Sequence, residues 1–335
     1  MGRRFAALTC FLSLLFIPPP QQAPASPAAT LKIATIAPEN TVLVQELREA
    51  AAVVAQRTGG AVQLKIYTGG VMGNDTVVLR KIRLGQLSGA TFTAGGLSSV
   101  YSNYELLSVP MLLRTYEEVD AVRAVYEPVI TDELEKHGFI STGMIETGFV
   151  YLMSDKPVAG VADLKACKVW VPEGDTLGQA IFERAGVNPI PLQIPDVLTG
   201  LQTHLIDTVV TSPVAAIVLQ WFTKVKILTE TPLLYAYGTL AISENSWRRI
   251  PEAHREPVRE ILTRHMKRVD VQNRTDNQEA LKTLEREGLR FVSVTEDNLR
   301  ELQRIADETI ESFRGKGLYD DEMLEGIREI VARFR

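Results

Sequence analysis

The sequence predicts an α/β chain folded into two lobes around a cleft, and three observations carry that prediction. Short apolar strands alternate with amphipathic helices from residue 31 onward, a pattern that builds sheets with helices on their faces. That alternation restarts near residue 148, as a second unit of similar size. A late apolar stretch, "KVKILTETPLLYAYGTLAIS", then returns toward the first unit. The 335 residues are too many for one small core and suit two ordinary ones. The expected fold is a type II-like binding-protein architecture, each lobe a mixed, mainly parallel sheet with flanking helices.

The elements follow in order. Arg3 and Arg4 precede the apolar run "FAALTCFLSLLFI" and a small-residue, proline-containing tract, the three parts of an export signal. Cleavage is expected near Ala25 or Ala28, so residues 1–28 are assigned to the leader. The apolar run is too short to span a bilayer, which needs about 20 residues. "LKIATIA" reads as a strand and Val42 to Arg57 as a helix ended by "TGG". "AVQLKIY" alternates strictly and reads as the second strand. Asp75 is placed as cap of the helix "TVVLRKIRLGQL", and "GATFTAGG" is a third strand running into a glycine pair. A helix near Glu117 to His137 and the strand "GFISTGMI" complete the first unit.

In the second unit "GFVYLMS", "CKVWVP", "NPIPL" and "IDTVVTSP" read as strands with helices between them. Pro251 to Glu287 forms one long charged helix, followed by a strand at Leu289 to Val294 and two closing helices. Lobe I is therefore assigned to residues 29–147 plus about 240–300, and lobe II to 148–239. The helix over 251–287 spans both, with C-terminal helices over 300–335. The "ETG" crossing at Glu146 to Gly148 and the return near Leu233 to Ile242 are the expected hinges.

Composition excludes several functions. Hydrophobic residues make up 45% and charged residues 23%, as in an ordinary globular protein. Loss of the leader leaves 34 basic residues against 41 acidic, a net charge of −7, which disfavours nucleic acid and anionic membranes. Cys10 leaves with the leader, and a lipid anchor there is not expected. Cys167 is then the sole thiol, so no internal disulfide forms, and a buried structural role is expected for it. His137, His204, His254 and His265 show no paired ligand spacing, so no metal or other cofactor is expected, and His265 is read as solvated on the long helix. Acidic pairs such as Glu117/Glu118 read as solvated helix faces. No nucleophile elbow is present, and nothing in the sequence requires an enzyme.

Ligands of α/β sheets sit beyond the carboxyl ends of strands. That rule selects Glu39 and Asn40, the glycine pair Gly95 and Gly96, Glu146, then Trp170, Pro172 and Glu173, and finally Thr211 and Ser212. Met72, in the glycine-rich loop "TGGVMGND", and Trp221, in "LQWFTKVK", join the candidate set. The loop has neither dinucleotide nor P-loop spacing, so a tight turn is its simpler reading.

Four segments, "LKIATIAPENT", "LRKIRLGQLSGA", "KVWVPEGDTLGQAIFERAGVNPIPLQIPDVLTGLQTHLIDTVVTSP" and "AISENSWRRIP", together resemble the periplasmic substrate-binding subunits of TRAP (tripartite ATP-independent periplasmic) transporters, of the DctP-like kind. The resemblance covers about residues 31–335. It implies two α/β lobes that close around one small organic ligand and deliver it, without catalysis, to a permease of one small and one large membrane subunit. In such proteins the strand matching "CKVWVP" usually carries an arginine that pairs with the ligand's carboxylate; the matching position here is Trp170. An asparagine usually found before proline after the "LIDTVVT" strand is matched by Ser212. The resemblance thus implies the subset without the usual arginine, some of which work with a periplasmic helical-repeat partner. A bidentate arginine–carboxylate contact is strong and specific, whereas tryptophan offers an apolar face with one donor. The expected ligand is accordingly apolar, aromatic or amphiphilic, with Glu39, Glu146 or Glu173 as polar contacts. A lipid or hydrophobe carrier serving another assembly, and less readily an enzyme on this scaffold, are the alternative readings.

Overall fold

The computed structural model describes residues 27–314 and 319–335. All but the last two positions of the expected leader, Cys10 included, lie outside the described residues. In chain order the first elements are β1 (Ala29–Ala34), α1 (Val42–Arg57), β2 (Val62–Tyr67), α2 (Asp75–Arg83), β3 (Gly89–Thr93), α3 (Ala94–Leu97) and α4 (Tyr116–Lys136). Each helix start has a local cause: Thr41, Asn74, Thr93 and Thr115 each accept a backbone N–H of the first turn with their side chains. Asn74 caps α2, where Asp75 was expected; Asp75 is its first helical residue and is free to serve elsewhere. On α1, Val44, Leu47, Ala50 and Val54 fall on one buried face at helical spacing.

Next comes β4 (Phe139–Ser154), where the sequence suggested two strands and a fresh start. The second half follows with α5 (Val161–Leu164), β5 (Trp170–Pro172), α6 (Thr176–Arg184), β6 (Ile190–Leu192), α7 (Val197–Gln202), β7 (Thr208–Thr211) and α8 (Pro213–Val218). The return segment is β8 (Ile227–Ser243), and α9 (Glu244–Trp247), α10 (Glu252–Arg286), β9 (Arg290–Val292), α11 (Glu296–Phe313) and α12 (Asp321–Val331) close the chain. The main sheet runs β2-β1-β3-β8-β4-β7, with β9 joined to β8. Its flank β2-β1-β3 is parallel, while its centre, β3-β8-β4-β7, is antiparallel. β5 and β6 form a parallel pair tied to β7 through a bridge from Val169 to Thr208.

Both lobes therefore hang on one ribbon, β4 against β8, which runs from Phe139↔Ser243 in the first lobe to Ser154↔Ile227 in the second. The ribbon is interrupted where the lobes meet. Pairing passes from Glu146↔Tyr237 to Gly148↔Ala236, so Thr147 is left over as a bulge. Gly148 has φ +97°, and a side chain there would meet the Asn277 amide at 2.7 Å. Backbone groups released by the bulge need other partners, and α10 supplies them from one face. Asn277 donates to the Thr147 carbonyl (2.8 Å), Asn273 donates to the Glu146 carbonyl, and Asp270 accepts from the Glu146 N–H.

The side chain of Glu146, 0% exposed, is held by the same face. Arg274 donates to both its oxygens at 2.9–3.0 Å, and the Tyr235 hydroxyl donates at 3.0 Å. Arg123 lies 3.6 Å away and bonds Glu127 (2.8 Å) and Asp270 (2.7 Å). Glu146 is thus an internal lock and not an open polar contact. Further along α10, Val258, Ile261, Leu262, Met266 and Val269 enter the core beneath β1 and β2, while Leu284 enters the core of Trp170 and Trp221. At about 1.5 Å per residue the helix is roughly 50 Å long, and it braces both cores.

Two further expectations are corrected. His265 is 4% exposed, with Nδ1 2.6 Å from Glu46 in a polar seam between α10 and α1. Glu118 is buried; it accepts from the Arg114 N–H (2.6 Å) and pairs with Arg335 (2.9 Å), tying the chain end to the start of α4. Cys167 is half-buried, with its thiol donating to the Asp163 carbonyl at 3.4 Å.

Removing one partner of a buried ion cluster strands the others, at a cost of about 3–5 kcal/mol. Glu146→Ala is expected to lower the free energy of unfolding in urea by about that amount. Glu133→Ala, which breaks the exposed pair with Lys136, should cost less than about 1 kcal/mol.

Candidate ligand-binding cleft

The two lobes enclose a cavity of about 840 Å³, within the size range of small-molecule sites. The first lobe contributes the start of α2, the β3–α3 turn and Ser98, Ser99 and Ser102. The second contributes β5, the Glu173–Asp175 turn, Leu177 and Ile181 of α6, and Leu192 to Pro195. Val150, Leu233, Leu234, Ala236 and Tyr237 of the β4–β8 ribbon form the back, and Leu302, Ile305 and Ala306 of α11, with Phe313 and Tyr319, form a side wall. The lobes touch across the mouth: the Asn74 amide donates to Glu173 at 3.1 Å, and Gly70 lies so near Pro195 that an added Cβ would be 3.5 Å from its ring.

Of the twelve candidate residues, the structure brings five to the cavity: Gly95, Gly96, Trp170, Pro172 and Glu173. Glu173 serves the latch with Asn74. One of the glycine pair has a specific reason to be glycine. A Cβ on Gly96 would sit 2.0 Å from an Asp75 carboxylate oxygen, so that position makes room for the acid, whereas one on Gly95 would meet Glu105 at 3.7 Å, an ordinary contact.

Trp170 needs a correction. Its ring is 3% exposed, its indole N–H donates to the Leu192 carbonyl at 3.0 Å, and it meets Trp221 edge-on at 5.1 Å. The donor credited to it is engaged, and the ring is a core element whose edge borders the cavity. Trp221, 2% exposed, lies behind it and is not a second wall.

The other candidates lie off the cavity. Glu39 is exposed and paired with Arg48 and Thr68, and Asn40 is exposed. The Met72 carbonyl accepts from Lys81 (2.8 Å) outside the lining. Thr211 pairs with Tyr151 in β7, and Ser212 caps α8 by accepting from Ala215; strand alternation turns Val210 to the cavity in their place. Glu146 is sealed in the bulge cluster.

Sequence reasoning found Glu173 but missed the three other acids that, among the described residues, line the cleft. Asp75 accepts from the Thr93 N–H (3.2 Å) and hydroxyl (2.7 Å), and burial raises its pKa against those bonds. Asp175 caps α6 through the Gly178 N–H (2.8 Å) and is likewise raised by burial. Glu105 accepts from the Tyr319 hydroxyl; burial pushes its pKa up to about 7, and the charge of Asp175 adds to the rise. A helix-start pattern flags Asp75 and Asp175, but nothing local to "NYELL" marks Glu105, which the fold carries to the cleft.

Among the described residues no lysine, arginine or histidine lines the cavity. Glu46, Glu49 and His265 approach one another closely enough to hold a metal, but Arg268 sits 3.7 and 3.8 Å from the two glutamates and supplies the positive charge there.

Glu105 yields a pH prediction. Its folded pKa of about 7 lies above its ordinary value of 4.5, so the folded state holds that proton more tightly than the unfolded chain does. Its contribution to stability is fully present below the ordinary value and is lost as pH rises through about 7. The ligand-free protein should melt at higher temperature at mildly acidic than at alkaline pH, and Glu105→Gln should shrink that difference. Equal pH dependence in the two proteins would contradict the assignment.

The sequence profile of the bacterial extracellular solute-binding proteins, family 7 (DctP), matches residues 33–316. The chain is 32% identical over 160 residues to the 2,3-diketo-L-gulonate-binding periplasmic protein YiaO of Escherichia coli, covering 45% of this chain and 47% of that one. It is 22% identical over 242 residues to the sialic acid-binding periplasmic protein SiaP of Vibrio cholerae, covering 70% and 74%. The match to YiiZ of Salmonella typhimurium spans about half of that protein, 48%. Among solved structures, a TRAP periplasmic solute binding protein from Haemophilus influenzae with bound L-gulonate superposes with a TM-score of 0.83 at 17% identity, over 90% of this chain and 99% of that one. A Bordetella pertussis extracytoplasmic solute receptor binding pyroglutamic acid gives 0.82 at 22% identity, over 90% and 99%. These likenesses establish the two-lobed fold, and the profile match over residues 33–316 places the chain in the bacterial extracellular solute-binding proteins of family 7.

Proposed function

We propose that the protein is the periplasmic capture subunit of a TRAP transporter, exported by its leader. It closes its lobes on a small organic molecule and hands it, unchanged, to a permease of one small and one large membrane subunit. A periplasmic helical-repeat subunit is the further partner that the sequence resemblance supports. YiaO, SiaP and the two solved structures named above are associated with 2,3-diketo-L-gulonate, sialic acid, L-gulonate and pyroglutamic acid, and this chain's ligand differs from those in having a larger apolar body.

The observation that carries this reading is the lining itself. In an 840 Å³ cavity walled largely by Leu, Ile, Phe and Tyr side chains, the described residues offer a carboxylate no cationic partner. The half-buried guanidiniums of the bulge cluster, Arg123 and Arg274, are already bonded to Glu127, Glu146, Asp270 and Asp120. Trp170 holds the matching arginine position with a ring locked into the lobe core. Transfer of apolar surface into such a cleft is favourable by about 25 cal/mol per Å², enough to drive capture without an ion pair.

Native mass spectrometry of the protein purified from its own periplasm, followed by organic extraction, should release a molecule with an aromatic or aliphatic body. Recovery of a sugar acid would overturn the apolar reading. Ala180→Phe, which fills the cavity from α6, should reduce the co-purified ligand at least about tenfold with little change in melting temperature. Undiminished retention by that variant would place the ligand outside this cleft.

A further inference from the structure

The cleft is one-sided in charge as well as in apolarity. Its described lining holds Asp75, Glu105, Glu173 and Asp175 and no cationic side chain. Glu173 is tied up at the mouth by Asn74, but the other three face inward from both lobes. Glu105 is 6% exposed; one oxygen accepts from Tyr319 and the other stands over Gly95, with no donor to it among the described residues. Asp175 uses one oxygen to cap α6, and Asp75 uses one oxygen on Thr93. These partners are neutral donors. A carboxylate withdrawn from water without a cation is costly, and Glu105 and Asp175 line the same cavity from opposite lobes, the charge of Asp175 adding to the rise in the Glu105 pKa.

The chain's own side chains also occupy N–H groups that could attract an anion. Asn74 accepts from the Val77 N–H at the start of α2, Asp175 from the Gly178 N–H at the start of α6, and Thr93 from the Gly96 N–H. Each of these helix ends, which elsewhere welcome a ligand carboxylate, thus carries a cap of its own.

We infer that the ligand is an organic cation, a protonated amine carried on an apolar body, with Glu105 and Asp175 gripping the ammonium from the two lobes. The body packs against Leu177, Ile181, Leu233 and Phe313. This rests on the apolar-capture reading above and adds the charge. It also supplies the differential contact that closure requires. Without a cation, closing drives two carboxylates together; with one between them, closing gains two charge-assisted hydrogen bonds.

The test is calorimetric titration of the mature protein, freed of ligand by unfolding and refolding, with three probes of one shape: 3-phenylpropan-1-amine, 3-phenylpropan-1-ol and 3-phenylpropanoate. Near neutral pH the amine should bind about tenfold or more tighter than the alcohol, a difference of about 1.4 kcal/mol, and the carboxylate should be weakest. Glu105→Gln and Asp175→Asn should each bring the amine-to-alcohol ratio toward one; asparagine retains the α6 cap, so the second variant keeps its helix. An alcohol that equals the amine would overturn the charge selection and leave apolar capture standing. A carboxylate that binds tightest, or no binding by any probe, would overturn the charge selection. Galactonate binding more tightly than all three would overturn the apolar reading as well.

Discussion

The structure depends on one ribbon and on what pins its interruption. β4 and β8 belong to both lobes, so the relative placement of the lobes is set by the geometry of that pair. A bulge in mid-ribbon releases backbone groups that need partners, and Asp270, Asn273, Arg274 and Asn277 on one face of α10 provide them while clasping Glu146. Replacing ladder bonds by side-chain bonds lets the ribbon bend at a defined place. Because α10 also inserts into both apolar cores, the bend is braced along its length. The ribbon then connects the bulge to the cleft: Tyr235 bonds Glu146, Tyr237 lines the cavity, and the two rings stack at 5.8 Å. The Glu146 cluster is thus joined through Tyr235 to a cavity wall.

On the proposed reading, the cleft inverts the usual logic of an organic-acid site. The helix ends at the cleft carry caps of their own, the guanidiniums of Arg123 and Arg274 are turned to the bulge cluster, and burial pushes Asp75, Glu105 and Asp175 toward their protonated forms. In that reading apolar contact carries affinity and the acids act as filters. Gly96 belongs to that design, because it lets Asp75 approach the chain where any side chain would crowd it.

Much of the fold was legible in the sequence because strand and helix periods are local. β2, α1 and the long α10 could be read from period and capping alone. The continuity of β4 could not: Gly148 breaks the alternation as a turn would, and only pairing with β8 shows that the strand runs on. The cleft was legible where it follows strand ends, as at Gly95, Gly96, Trp170 and Pro172. It was illegible where residues distant in sequence converge, as with Glu105, Tyr319 and the apolar face of α11. Charge also misled the reading. The charge of the long helix suggested a solvated His265, and Glu118 was read as part of a solvated helix face, whereas each is satisfied by a partner on another element.

The most direct test of the account is a crystal structure of the protein holding the ligand it carries from the cell. The account predicts an apolar body against α6, α11 and the β4–β8 ribbon, with no arginine or lysine touching the ligand. A ligand carboxylate seated on an arginine or lysine would contradict it.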